Sequence, residues 1–263
     1  MLLYIHVPFC TRKCAYCAFF SQPLSQGRAG QAQVAGYLAS LLGELRFWAE
    51  NLTRERGDIY LDSIFFGGGT PSVLPAKAIS GFLSQVRSVF SVAGSAEITL
   101  EANPESALAD GWLFDVRAAG VNRLSLGVQS FDDETLKLLG RRHDARAAEA
   151  AVYTARTAGF ANISLDFMWG RPGGGIRSQS QAEWLSQLKR ATDLQPEHIS
   201  AYGLSLEPGS ALEAAHEAGE LTLPEEAALS SLYLARADFL ESPGYMQYGI
   251  SNFSPMGYNC AHN

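Results

Sequence analysis

Short apolar runs alternate with helical stretches along most of this chain. Six runs rich in β-branched and aromatic residues predict strands: LLYIHVP, SIFFGG, EITLEAN, RLSLGVQS, NISLDFMWG and HISAYGLSLE. Between them, apolar residues recur with roughly helical period at 34–50, 76–90, 108–119, 145–158 and 181–194. Strands that alternate with helices through right-handed crossovers form a parallel sheet. The pattern therefore predicts an α/β fold, a curved or barrel-like array of six parallel strands.

The pattern changes after the sixth predicted strand. No linker or low-complexity tract is visible before residue 205, so 1–205 are predicted to form one β/α core. A long helix is predicted at 225–241 and is followed by the segment YGISNFS. Residues 206–263 are therefore interpreted as a helical segment and the start of a C-terminal region. Because the chain stops at YNCAHN without a turn or helix end, we expect that region to be truncated.

Polar and glycine-rich motifs follow the predicted strands. The cysteines come after strand 1, GGGTPS after strand 2, EANPES at the end of strand 3 and GVQSFDDE after strand 4, and Asp166 lies within strand 5. Folds of this kind gather their chemistry on the loops at the C-terminal ends of the strands. The motifs are therefore expected to meet at one rim of the sheet.

Composition and charge disfavour several classes of protein. The chain has 263 residues, of which 47% are hydrophobic, enough for a sizeable core. Its net charge of -7 disfavours binding to a phosphate backbone, so no nucleic-acid partner is expected. No apolar run approaches the roughly 18 residues of a membrane span, and no secretory signal is recognisable. With clustered rather than spread cysteines, the chain is predicted to be cytoplasmic.

The segment FCTRKCAYCAFF carries the most specific chemistry. Cys10, Cys14 and Cys17 are separated by three and two residues, so one loop can turn three thiolates toward a zinc ion or an iron–sulfur centre. Both kinds of centre normally take four protein ligands. A zinc knuckle completed by Cys260 or by a histidine such as His6 is one interpretation. In the other, a ligand from outside the protein fills the fourth position, and the flanking aromatic residues shield a redox centre from water.

The cysteine spacing, with Tyr16 directly before the third cysteine, resembles the radical S-adenosylmethionine (SAM) superfamily. That resemblance implies a partial (β/α)6 barrel and a [4Fe-4S] cluster held by Cys10, Cys14 and Cys17. It also implies that SAM chelates the fourth iron through its amino and carboxylate groups. One electron from the reduced cluster would then cleave SAM to methionine and a 5'-deoxyadenosyl radical, a chemistry that belongs to the cofactor.

Other motifs extend the resemblance over almost the whole chain. GGGTPS looks like the superfamily's GGxTP element, which implies that Gly68, Gly69 and Thr70 hold the SAM amino group. By itself the segment is equally typical of a tight turn, and it lacks the lysine of a phosphate-binding P-loop. Further residues match positions that contact SAM in the coproporphyrinogen-oxidase branch: Tyr4, Glu101, Gln129, Arg141 and Asp166. Taken singly, the last four are equally consistent with helix caps or surface ion pairs, and His6 is predicted to be a core residue.

Several segments together resemble the anaerobic coproporphyrinogen III oxidase-like family, and most closely its HemW subgroup of haem chaperones. These segments are YIHVPFC, GGGTPS, EANPES, RLSLGVQSF and CAHN. Cys17 is followed by Ala18 and Phe19, without the fourth cysteine of the true dehydrogenases, and the chain enters strand 1 at once. The resemblance thus implies haem as cargo, with the cluster and SAM retained. SAM-dependent oxidative decarboxylation of coproporphyrinogen III is the alternative, and an RNA-modifying radical SAM enzyme is a third reading that the acidic charge disfavours.

The partners implied by the resemblance are haem or a porphyrin, apo-haemoprotein recipients and an electron donor. Peripheral contact with a membrane and a homodimer are both left open. Two segments depart from the family pattern: GRPGGGIRSQS replaces a Gly-Leu-Pro-x-Gln element, and a His-Asn-x-x-Tyr-Trp element begins at His262 and Asn263 and is cut off. His262 or Cys260 is a candidate axial ligand of the haem iron.

Overall fold

A mostly parallel sheet forms the centre of the fold in the computed structural model, which describes residues 1–175 and 177–262. The described strands of the chain, in order, are β1 (Leu2–Val7), β2 (Phe9–Cys10), β3 (Gln22–Pro23), β4 (Tyr60–Gly68), β5 (Ser91–Ala102), β6 (Arg123–Gln129), β7 (Ile163–Trp169), β8 (His198–Gly203), β9 (Met246–Gln247) and β10 (Asn252–Ser254). Of these, β2 and β3 pair with each other in a separate two-stranded sheet. The order across the main sheet is β1-β4-β5-β6-β7-β8-β10-β9, and all pairs from β1 to β8 are parallel. The predicted α/β class and the six parallel strands are confirmed.

Helices connect the strands and cover one face of the sheet. Those described are α1 (Gly27–Arg56), α2 (Ala76–Val89), α3 (Pro104–Ala107), α4 (Trp112–Ala118), α5 (Asp133–Leu138), α6 (Ala145–Thr157), α7 (Gln181–Asp193), α8 (Ala211–Glu217) and α9 (Glu226–Glu241). A short 3-10 helix at Pro71–Val73 follows β4. None of the described helices is long and apolar enough to span a bilayer.

The two faces of the sheet bury side chains of different polarity. Side chains alternate along each strand, and one set, which includes Ile64, Leu100 and Phe167, packs against the helices in the main hydrophobic core. The other set faces the concave interior and is largely polar yet buried, as at Arg123 and His198. The fold thus encloses a polar interior beneath the rim where the parallel strands end.

Several elements differ from the prediction. Helix α1 is longer than the predicted 34–50, and the predicted helix 108–119 begins only at Trp112, because Gly111 adopts φ +70° immediately before α4. The helices α5 and α8 were not predicted. Strand β10 lies antiparallel beside β8, so the C-terminal region joins the main sheet. The division of the chain at residue 205 remains a prediction.

Candidate cofactor site

A cavity of about 580 Å³ opens where the parallel strands end. Every predicted site residue except Tyr4 lines it. These residues are Cys10, Cys14, Tyr16, Cys17, Gly68, Gly69, Thr70, Glu101, Gln129, Arg141 and Asp166. Residues from five strands and three loops therefore meet at one place, as the positions of the motifs after the strands predicted.

The cysteine loop is tied at both of its ends. The two short strands β2 and β3 pair in parallel, and the Leu24 amide donates to the Cys10 carbonyl at 2.8 Å. Within the loop, the Cys17 amide donates to the Cys14 carbonyl at 3.2 Å, which closes a turn. Cys10 is buried, whereas Cys14 and Cys17 are half-buried, and all three are free thiols. The loop thus brings three thiols to the cavity with different access to solvent.

The zinc-knuckle interpretation finds no support among the residues that the structure describes. No group of three His, Cys, Asp or Glu side chains among them is placed to hold a single metal ion. Cys260 lies elsewhere, with its sulfur 3.6 Å from a Glu97 carboxylate oxygen in the concave interior. Three thiolates that each bind a different iron need not converge as closely as the ligands of one ion. The described position of Cys260 therefore does not supply the fourth ligand that a zinc knuckle completed by it would need.

Two donors reach the cysteine sulfurs. The Thr70 hydroxyl donates to Cys10 Sγ at 3.3 Å, and Arg141 donates to Cys14 Sγ at 3.4 Å. Both contacts place a hydrogen-bond donor where a metal-bound thiolate sulfur would accept it. Burial raises the pKa of the Cys17 thiol, so binding of iron there would be coupled to loss of a proton.

Arg141 is the centre of a hydrogen-bonded group that joins three loops. Its guanidinium donates to Asn103 Oδ1 at 2.5 Å and to the Gly127 carbonyl at 2.7 Å, and Asn103 in turn donates to the Thr70 hydroxyl at 3.3 Å. Arg141 Nε is buried and has no hydrogen-bond partner among the described residues. A ligand that carries a carboxylate would supply an acceptor for Arg141, which is consistent with the amino-acid part of SAM.

Sequence reasoning missed Asn103. The residue lies in the quoted EANPES segment, directly before Pro104, and is the N-cap residue of α3. Asparagine directly before proline is typical of the start of a helix. Helix capping was therefore enough to account for Asn103 in the sequence. Its link to Arg141 depends on tertiary contact and could not be read from the sequence.

The GGGTPS loop is packed closely against the residues that lead into the cysteine loop. The Gly69 amide donates to the Val7 carbonyl at 2.8 Å, and the Thr70 amide donates to the Phe9 carbonyl at 2.7 Å. A Cβ at Gly69 would lie 2.6 Å from the Phe9 carbonyl oxygen. At Gly68, φ is +110° and a Cβ would lie 2.7 Å from the His6 ring. Close contacts with neighbouring residues, rather than the space needed in the cavity, therefore require glycine at both positions.

Two carboxylic acids form the deeper wall of the cavity. Asp166 accepts hydrogen bonds from the Ser125 hydroxyl at 2.8 Å and from the Ser164 hydroxyl at 3.3 Å. Burial raises the pKa of Asp166, although these hydrogen bonds act to lower it. Burial also raises the pKa of Glu101 to about 8, and the negative charge of Asp166 acts in the same direction. The pair offers acceptors suited to ribose hydroxyls.

The raised pKa of Glu101 gives a prediction for stability. Because the folded-state pKa exceeds the unfolded value, the folded protein holds a proton that the unfolded chain has lost, and the free energy of unfolding falls as pH rises from 4.5 to about 8. Glu101→Gln, which is neutral and similar in shape, should reduce this slope. At pH 9 the variant should be more stable than the wild type by on the order of 5 kcal/mol.

Urea denaturation of the cluster-free protein at pH 5, 7 and 9 measures this effect. Glu55→Gln is the matched control, because Glu55 is an exposed carboxylate on α1, far along the chain from the cavity. Equal pH slopes for the wild type and Glu101→Gln would contradict the prediction.

Three further residues, Tyr4, His6 and Gln129, differ from what their positions in the sequence led us to expect. Tyr4 does not line the cavity, although its ring packs on Phe65 and its hydroxyl lies 3.2 Å from His6 Nδ1. The prediction that His6 is a core residue is wrong, because its side chain is half-buried and its Nε2 lies 2.9 Å from the Phe20 carbonyl oxygen. Gln129 has φ +65°, at the irregularity where β6 changes register against β7.

The C-terminal segment enters the polar interior below the cavity. The His262 ring stacks on Phe65 at 4.2 Å and on Tyr4 at 5.5 Å between centroids. The Ala261 amide donates to Glu97 at 3.1 Å, and Cys260 is buried. Neither candidate haem ligand is therefore presented on an open surface here. Asn263, the second residue of the proposed haem element, lies outside the described residues.

The segment GRPGGGIRSQS forms the connection from β7 to α7. Arg171 is buried and donates to the Arg177 carbonyl at 2.6 Å, while the Gly170 amide donates to the Gln179 side chain at 2.8 Å. Ile176 lies outside the described residues. The described residues of this connection are thus held by these hydrogen bonds and by backbone pairing of Gly173 with Thr222, and none of them lines the cavity.

Comparison with known proteins agrees with this geometry. The family model described as the radical SAM superfamily matches residues 4–178. A protein of Escherichia coli named heme chaperone HemW is 38% identical over 99% of this chain and 64% of its own length. A Bos taurus protein named radical S-adenosyl methionine domain-containing protein 1, mitochondrial, is 36% identical over 99% of this chain and 56% of its own length.

A solved structure gives the same result. Coproporphyrinogen III oxidase (HemN) from Escherichia coli, described as a radical SAM enzyme, superposes with a TM-score of 0.82. Its sequence is 28% identical to this one, and the match covers 97% of this chain and 56% of that protein. The chain therefore spans about two thirds or less of the length of these relatives.

Proposed function

This chain belongs to the radical SAM superfamily, in its HemN- and HemW-like branch, and we propose on that basis that it is a haem-binding protein that retains a [4Fe-4S] cluster and SAM. Cys10, Cys14 and Cys17 would hold the cluster in the cavity at the strand ends. The bound cofactors would supply one-electron chemistry, while the protein binds and orients them and excludes water.

The cofactor part of the proposal is supported by one observation: three free thiols and the SAM motifs surround a single cavity. Thr70 and Arg141 would stabilise the thiolates through the contacts already described. Arg141, through its unsatisfied Nε, would pair with the SAM carboxylate, and Glu101 and Asp166 would accept from the ribose hydroxyls.

The relatives support the haem part of the proposal. Proteins named heme chaperone HemW are 34–38% identical to this chain over nearly all of its length. By analogy with that name, the cargo would be haem and the recipients apo-haemoproteins. An electron donor would be needed to reduce the cluster.

Haem titration of the anaerobically reconstituted protein tests the cargo. We expect saturable binding at one haem per chain, followed as a shift of the Soret band. Cys14→Ala should retain haem binding although it loses the cluster, because the thiols lie at the strand ends and the proposed haem element begins at the C-terminus. The absence of saturable binding to the wild type, with the Escherichia coli relative as positive control, would contradict the chaperone function.

Oxidation of coproporphyrinogen III is the second candidate function, favoured by the structural match to HemN. Ala18 and Phe19 stand where the resemblance places the dehydrogenases' additional cysteine. We therefore expect no decarboxylated product when reduced protein is incubated with SAM and coproporphyrinogen III without oxygen. Product formed in proportion to bound cluster would favour the enzyme over the chaperone.

A further inference from the structure

A series of buried hydrogen bonds leads from the C-terminal segment through the polar interior to the cavity. The Tyr248 hydroxyl lies 2.7 Å from His198 Nε2, and His198 Nδ1 lies 2.8 Å from the Ser164 hydroxyl. Ser164 also donates to Asp166 at 3.3 Å, and the Cys260 amide donates to the Tyr248 oxygen at 3.1 Å. Ser164 and His198 are fully buried. We call Tyr248, His198 and Ser164 the interior row.

The register of the sheet fixes the interior row. Ser164 on β7 lies opposite His198 on β8, and two residues further along Asp166 lies opposite Ser200. Residues two apart on a strand point to the same face, so these side chains share the concave interior. Tyr248 comes from the connection between β9 and β10, and β10 pairs antiparallel with β8. The row therefore joins three parts of the chain that the sheet holds together.

The Ser164 hydroxyl has one hydrogen and two possible acceptors. It can donate to an Asp166 oxygen or to an unprotonated His198 Nδ1. Burial lowers the pKa of His198 to about 3, and the positive charge of Arg123 acts in the same direction, so the imidazole is neutral and carries one hydrogen. The position of that hydrogen, on Nδ1 or on Nε2, therefore decides which acceptor Ser164 serves.

One direction of donation supplies Asp166 with a donor. The Cys260 amide can only donate, so it takes an acceptor position of the Tyr248 oxygen. If Tyr248 donates to Nε2, His198 carries its hydrogen on Nδ1 and donates to the Ser164 oxygen. Ser164 is then left to donate to Asp166. In the opposite direction Ser164 would turn toward Nδ1, and the buried Asp166 would lose a donor, which is unfavourable.

We propose that His198, with its hydrogen on Nδ1, is a positioning residue for SAM that acts through Ser164 to hold Asp166 toward the ribose hydroxyls. The inference rests on the proposed function, in which Asp166 accepts from the SAM ribose. His198 does not itself line the cavity, so its effect on a ligand there is indirect. Donation by His198 polarises the Ser164 hydroxyl and strengthens the hydrogen bond that it makes to Asp166.

A double-mutant cycle tests whether His198 acts through Ser164. We expect Ser164→Ala to weaken SAM binding about tenfold and His198→Leu, which removes the Nδ1 donor, to weaken it about fivefold. Because both changes interrupt the same series of hydrogen bonds, Ser164→Ala/His198→Leu should be about tenfold weaker than the wild type rather than about fiftyfold. Isothermal titration of SAM into the reconstituted proteins measures the affinities, and iron content and urea denaturation show that each variant is loaded and folded.

Ser125→Ala provides the matched control. Ser125 donates to the other Asp166 oxygen at 2.8 Å and makes no hydrogen bond to His198 within the described part of the chain. In Ser125→Ala/His198→Leu the two losses of affinity should therefore multiply. SAM affinity of His198→Leu equal to that of the wild type, or multiplying losses in the Ser164 cycle, would overturn the proposal. Equal coupling in both cycles would also overturn it, because the effect would then not pass through Ser164.

The position of the His198 hydrogen is measured without SAM. In protein labelled with ¹⁵N-histidine, long-range proton–nitrogen correlation spectra distinguish a protonated from an unprotonated ring nitrogen, and the signals of His198 are those that disappear in His198→Leu. We expect a neutral ring with its hydrogen on Nδ1 at pH 7. A hydrogen on Nε2, or a charged ring, would contradict the proposal. If the wild type binds no SAM, the proposed function fails, and this spectrum still decides the direction of donation along the interior row.

Discussion

Replacing any one of Cys10, Cys14 and Cys17 with alanine should abolish the broad visible absorption and the bound iron of the anaerobically reconstituted protein. Each thiolate is expected to hold a different iron, so the loss of one leaves a corner of the cluster without a protein ligand. Cys260, the remaining cysteine, lies against Glu97 in the polar interior and cannot substitute from there. Iron and sulfide analysis together with the visible spectrum measures the effect, which we expect to be nearly complete.

Cys260→Ser provides the matched control. Serine retains a hydroxyl that can donate to Glu97, so the fold should be preserved while one thiol is removed. This variant should bind as much iron and sulfide as the wild type. Zinc in place of iron after anaerobic purification, or cluster loss in Cys260→Ser, would refute the assignment of the three cysteines.

The position of the site could be predicted because it follows from the direction of the strands. Parallel strands end at the same rim, so motifs that follow successive strands must meet there. Thr70 donates to Cys10 and Arg141 donates to Cys14, although long stretches of chain separate the partners, as this rule requires. The resemblance to a known family then identified the chemistry that the residue types alone left open.

The polar interior was visible in the pattern, but its meaning was ambiguous. In RLSLG and NISLDF, apolar and polar residues alternate, which is typical of a strand with one face in solvent. Here the polar face is buried instead, and Ser125 and Ser164 each donate a hydrogen bond to Asp166. The alternation of apolar and polar residues alone cannot distinguish a strand with one face in solvent from a strand that lines a polar interior, because both have the same two-residue period.

The C-terminal segment could not be placed from the sequence for a different reason. The stacking of His262 on Phe65 joins two residues far apart in the chain, and it depends on β10 pairing antiparallel with β8. The segments before and after β10 carry no periodic pattern that would predict in which direction the chain runs when it rejoins the sheet. Interpreting His262 from its motif alone therefore suggested a haem ligand and missed its contacts in the interior.

Gly69→Ala should weaken SAM binding at least about tenfold, a loss of about 1.4 kcal/mol. The added methyl group would lie 2.6 Å from the Phe9 carbonyl oxygen and 3.0 Å from the Val7 carbonyl oxygen. Both are backbone atoms that cannot rotate away, so the GGGTPS loop must shift. That shift would displace the Thr70 hydroxyl from Cys10 and the backbone expected to hold the SAM amino group.

Gly43→Ala on α1 makes the same chemical change where a Cβ meets nothing within 4 Å, so SAM affinity should be unchanged there. Isothermal titration of SAM into the reconstituted proteins measures both affinities, and iron content and urea denaturation show whether each variant is folded and loaded. If Gly69→Ala is folded, carries its cluster and binds SAM as tightly as the wild type, the loop is not part of the SAM site. Its glycines would then serve only the packing against Val7 and Phe9, which the short backbone distances already require.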